Sequence, residues 1–95
     1  MPEMRFHIRW PDGTAEACYS PSLVVQDYFA PGESYALADF LERSRAALTI
    51  ASDRVAEKYG YACSRAMAQL ARIETAARDF TDLAEARVTV DAFET

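Results

Sequence analysis

Glycine is scarce here, with three in 95 residues, and none falls in a G-x-G-x-x-G or G-x-x-x-x-G-K run. Loops that cradle phosphates through spaced glycines are therefore absent. Cysteine is scarcer still: Cys18 and Cys63 stand alone, without the C-x-x-C spacing of a metal box. No metal and no cofactor is expected. The single histidine is His7, so any acid–base or triad mechanism that needs an imidazole must use it. No apolar run approaches transmembrane length. The N-terminus has no apolar core of a signal peptide, because Arg5, His7 and Arg9 interrupt it. A cytoplasmic protein with reduced thiols is the expectation. Basic residues are also outnumbered, ten against fifteen acidic, for a net charge of −5. Neither nucleic acid nor an anionic membrane is an expected partner.

What remains is ordinary globular composition, and the 12% aromatic content argues against disorder. Residues 1–95 are expected to form one domain, with a thin core. Two amphipathic helices organise it. Leu37, Leu41, Ser44, Leu48, Ala51 and Val55 recur at helical steps, and Phe40, Ala47 and Ile50 widen the stripe. Gly60 is placed to end this helix after Tyr59, since glycine takes the left-handed C-cap without strain. The second helix is expected over 64–80, started by Ser64 or by Cys63 before it. Met67, Leu70, Ile73, Ala77 and Phe80 form its apolar repeat. A link this short makes the helices antiparallel neighbours.

Strands flank the helices. Met4, Phe6, Ile8 and Trp10 alternate with Arg5, His7 and Arg9, a period of two that marks a half-buried strand. Pro11-Asp12-Gly13-Thr14 is the turn, and a second strand runs over 15–19. Two registers compete. A four-residue loop sets Phe6 opposite Tyr19, His7 opposite Cys18, Ile8 opposite Ala17 and Arg9 opposite Glu16. A three-residue loop sets Phe6 opposite Cys18 and Ile8 opposite Glu16. The first matches apolar with apolar and plus with minus, so it is preferred. Ser20 followed by Pro21 reads as a helix start, and 23–29 as a short helix, with a strand as the alternative. Pro31-Gly32 turns the chain into the long helix, with Tyr35 at its entry. A last strand over 87–93 has Val88, Val90 and Ala92 on one face. The fold class is therefore α+β: a two-layer domain with an antiparallel sheet of about three strands, the N-terminal hairpin plus the C-terminal strand, against an antiparallel helix pair.

Candidate chemistry is sparse. Arg5, His7 and Arg9 form a basic stripe, and the preferred register adds Cys18 opposite His7. Those four residues are the candidate ligand or partner face. A plain wet sheet face accounts for the same residues. Cys63 opens the second helix, where the dipole lowers a thiol pKa, and a small buried apolar residue is the alternative reading.

Several segments match a known set in order. They are Met4-Arg5-Phe6 through Arg9-Trp10-Pro11-Asp12-Gly13, Cys18-Tyr19-Ser20-Pro21-Ser22 and Tyr28-Phe29-Ala30-Pro31-Gly32-Glu33-Ser34-Tyr35. Phe40-Leu41-Glu42-Arg43-Ser44-Arg45 and Lys58-Tyr59-Gly60-Tyr61-Ala62-Cys63-Ser64 continue it. Together they resemble a small bacterial nitrogen-starvation-response family encoded in nitrilase-containing, cyanide-assimilation-type gene clusters. The resemblance spans nearly the whole chain and carries no catalytic residue. It implies a non-catalytic accessory or partner-binding role beside enzymes of nitrile or cyanide nitrogen metabolism. A small-anion-binding regulator is the second expectation, and a cysteine-dependent enzyme the third. A homodimer is expected through the open sheet or the 37–59 helix, because a mixed-sign face can match a two-fold copy of itself.

Overall fold

The computed structural model describes residues 2–95. The N-terminal hairpin joins β1 (Met4–Arg9) to β2 (Ala15–Ser20). Met4, Phe6 and Ile8 point inward and are buried, as is Trp10 just beyond the strand. The turn is decided by its own chemistry. Gly13 takes φ +89°, and its N–H donates to the Trp10 C=O at 2.8 Å. The Trp10 N–H donates to the Thr14 C=O at 2.8 Å. This is a three-residue loop closed by a glycine bulge. The Asp12 carboxylate accepts from the Thr14 N–H, which holds its pKa below the usual carboxylate value.

That turn corrects the preferred register. Phe6 stands opposite Cys18, His7 opposite Ala17, Ile8 opposite Glu16 and Arg9 opposite Ala15. The plus-to-minus match of Arg9 with Glu16 is not made. Glu16 instead accepts from the Trp10 indole N–H and pairs with Arg72. The positive φ that only glycine supplies cheaply outweighs a surface ion pair of small value.

Ser22, not Ser20, caps the short 3₁₀ helix over Leu23–Asp27, its side chain accepting from the Val24 N–H. A fourth strand then appears: β3 (Ser34–Ala36), three residues of the expected turn into the helix. The sheet is open, antiparallel and four-stranded, in the order β2-β1-β4-β3, where β4 is Arg87–Glu94. Its ladder with β1 slips by one residue between Ile8–Val90 and His7–Ala92. Asp91 is the extra residue of a bulge, which reverses the facing of the residues beyond it. Val88 and Val90 are buried, but Ala92 is exposed and Phe93 packs on the core. The inward Ala92 expected from simple alternation is thereby corrected.

Helix α1 spans Leu37–Tyr59 as expected, and Gly60 at φ +82° donates its N–H to the Ala56 C=O. Its fully buried stripe is Phe40, Ser44, Ala47, Leu48 and Ala51; Leu41 is only half-buried. Helix α2 covers Ser64–Ala77 and ends in a 3₁₀ turn over Arg78–Phe80. Cys63 occupies its N-cap position without a side-chain bond; the Ser52 hydroxyl of α1 accepts the Cys63 N–H instead. The buried side of α2 is Ala66, Ile73, Ala76 and Ala77, while Met67 is exposed. Ala66, Ile73 and Ala77 lie on one helical row, and Met67 stands about 100° round the axis from Ala66. The small Ala66 lets the helix backbones approach. Both helices and an aromatic row, Phe6–Phe29–Phe40–Trp10–Phe80, fill one side of the sheet. On the other side Arg5, Arg9, Ala15, Ala17 and Asp91 are exposed.

Candidate functional site

The open side carries the basic stripe. Arg5, His7 and Arg9 project from β1, and the bulge brings Asp91 and Glu94 of β4 beside them. His7 Nε2 donates to Glu94 Oε1 at 2.8 Å. Arg9 reaches Asp91 Oδ2 at 3.3 Å and donates to the Gly13 C=O at 3.0 Å. Arg5 sits opposite Glu94 and Tyr19 and makes no ion pair among the described residues. The result is a polar row in which His7 and Arg9 each hold one carboxylate and Arg5 is left over. Exposed pairs of this kind contribute about 0–1 kcal/mol each. They order side chains more than they hold the fold.

Cys18 does not join them. It is fully buried on the inner face, opposite Phe6. Burial pushes its thiol pKa well above the ordinary value, the Glu16 carboxylate adds to the shift, and Arg72 offsets part of it. The expected His7–Cys18 juxtaposition is not made, because the three-residue turn places Cys18 on the other face. A thiol held protonated in apolar surroundings is a poor nucleophile.

Sequence reasoning misses a second cluster, at the far end of α1. Tyr59 and Tyr61 are exposed there with rings 6.4 Å apart. The Arg65 guanidinium lies 3.9 Å from the Tyr19 ring, and Glu3 is 3.9 Å from Arg65. Burial raises the Tyr19 pKa, and Arg65 lowers it in part. Tyr19, Tyr59, Tyr61 and Glu3 border a hollow of about 220 Å³ that Cys63 also lines. The Tyr59-Gly60-Tyr61 triplet marks the place, but as a turn; only the return of α2 brings Tyr19 and Arg65 to it. Among the described residues, no three of His, Cys, Asp and Glu stand close enough to hold a metal ion, and no helix is long and apolar enough to cross a membrane.

Residues 5–93 match the family model described as "Nitrogen starvation-induced protein NitG". No curated protein and no solved structure matches the chain. The chain belongs to the nitrogen starvation-induced NitG family.

Proposed function

We propose that this member of the nitrogen starvation-induced family is a non-catalytic accessory protein that binds a protein partner on the open face of its sheet. The observation that supports the reading is the polar row Arg5, His7, Arg9, Asp91 and Glu94, displayed on a sheet whose other side is closed by helices. Complementary charge patterns set the register and on-rate of protein association more than its raw strength. The partner belongs to nitrile or cyanide nitrogen assimilation, in the cytoplasm, following the resemblance of the whole chain. A second reading, a regulator that binds a small anion, draws on Arg5, which lacks a carboxylate partner among the described residues.

The test compares the native chain with an Arg5→Glu/Arg9→Glu variant as bait in extracts of nitrogen-starved cells. Enzymes of nitrile metabolism should be retained by the first and lost by the second, with equal melting temperatures. Equal retention by both would move the contact off this face. Saturable binding of a small carboxylate or cyanate-like anion to the purified native chain, abolished in the variant, would favour the regulator.

A further inference from the structure

The two edges of the sheet are finished differently. The edge at β3 is three residues long and is closed by Arg87, which donates to the Ser34 Oγ at 3.0 Å and to the Ser34 C=O at 2.9 Å. The edge at β2 is longer and is covered only by side chains of α2: Gln69 on the Tyr19 N–H, Arg65 over the Tyr19 ring and Arg72 on Glu16. In an antiparallel pair, alternate residues bond to the neighbour and the rest turn their N–H and C=O groups outward. The Trp10–Thr14 bond at the hairpin sets this phase. Glu16, Cys18 and Ser20 bond to β1, and the main-chain groups of Ala15, Ala17 and Tyr19 face off the sheet. Tyr19 shows the phase directly, because its N–H donates to Gln69 Oε1 of α2 at 2.9 Å. A side chain there stands in for a missing strand. Ala15 and Ala17 are exposed, and neither proline, lysine nor a bulge guards them. Those are among the devices that blunt an edge; an inward-pointing charge is another, and here it is Glu16, whose charge is met within the chain by Arg72.

We propose that this edge pairs antiparallel with β2 of a second copy of the chain, so that two sheets become one continuous sheet across a two-fold axis. This edge is separate from the partner face above. Side chains choose the register. An axis at Glu16 would set Glu16 directly opposite its own copy, and like charges in that position are unfavourable. An axis at Ala17 sets methyl against methyl, Ala15 against Tyr19 and Glu16 against Cys18. In that register the Tyr19 N–H exchanges Gln69 for the Ala15 C=O of the second copy, so Gln69 is a built-in competitor. The occupant is a second copy rather than a foreign strand because added strands gain specificity from pockets for alternate side chains. The outward positions here, Ala15 and Ala17, offer methyl groups and no pocket, which suits a partner equally small. Beside the edge, α2 leaves a groove of about 320 Å³ lined by Arg65, Ala68, Gln69 and Arg72.

Sedimentation of the full chain at about 100 μM tests this, since a contact of this length is at the small end of specific interfaces. The native chain should show a dimer. Ala17→Lys and Ala17→Glu should each weaken it about fivefold, since each charge then faces itself, and an equimolar mixture of the two should restore the dimer. Gln69→Ala should tighten it by freeing the Tyr19 N–H, and it alters no position of β2 should a charged variant unfold. A monomeric native chain, charged variants that associate like the native chain, a mixture of folded variants that stays monomeric, or an unchanged Gln69→Ala would each overturn the proposal.

Discussion

His7 and Ile8 are adjacent in the chain and live in different solvents. Ile8 is fully buried in the core; His7 stands on the open side, bonded to a glutamate that is itself exposed. Along the whole of β1 the two faces differ in this way. The inner face is dry and held by packing, where each lost methylene leaves a cavity. The outer face is wet, and its ion pairs are screened and nearly neutral for stability. Stability thus rests on one of two faces separated by a period of two, so the outer face is free to change without unfolding the protein.

Substitutions across that boundary should show it. Ile8→Ala should cost about 2–5 kcal/mol in a urea melt; a loss under about 0.5 kcal/mol would place Ile8 at the surface. Cys18→Ser comes next, at about 1–3 kcal/mol, because it buries a hydroxyl where no partner is placed for it. The same burial has a pH signature. The folded thiol titrates above its unfolded value of about 8.5. The neutral form is therefore favoured by folding, its stabilisation is complete below that pH, and stability should fall as pH rises beyond it. A flat stability from about pH 8 to about pH 10 in the native chain, or alkylation of Cys18 at the rate of a free thiol, would contradict its inward placement.

The bulge gives a smaller contrast. Phe93→Ala should cost about 1–2 kcal/mol, as a half-buried ring, while Ala92→Ser on the exposed side should stay within about 0.5 kcal/mol. The reverse order would mean that β4 runs straight, without the extra residue at Asp91. Smallest of all, Arg9→Ala should shift stability by less than about 0.5 kcal/mol, and salt at about 1 M should erase even that. A larger, salt-resistant loss would show that the Arg9–Asp91 pair supports the fold.

How much of the fold is legible in the sequence depends on the reach of each signal. The alternation from Met4 to Trp10 and the bounds of α1 can be read directly, because periodicity and the Gly60 cap act over a few residues. The hairpin register is misread although its signal is present. Pro11 and Gly13 specify the three-residue loop, and cross-strand charge matching points the other way with less energy behind it. The fourth strand gives almost no signal, since Ser34-Tyr35-Ala36 becomes a strand only because β4 passes beside it. The buried side of α2 is misjudged at Met67 for a related reason: a helix with alanines on several sides takes its inward face from what it packs against.

The candidate face divides in the same manner. Arg5, His7 and Arg9 share one side by the pleat of a single strand, and no tertiary contact is needed to put them there. Their acidic neighbours Asp91 and Glu94 arrive from the other end of the chain, and the bulge that places them is a feature of the β1–β4 ladder. Cys18 belongs to that face only in the four-residue register and leaves it in the register the turn selects. By itself the sequence determined the helix and strand periods, the Gly60 cap and the charge of each strand face, because these rest on backbone sterics and side-chain spacing within a few residues. Only the tertiary structure decided the strand order, the bulge, the company of each face and the uncovered edge at β2, because long-range pairing chooses among partners that no local pattern distinguishes.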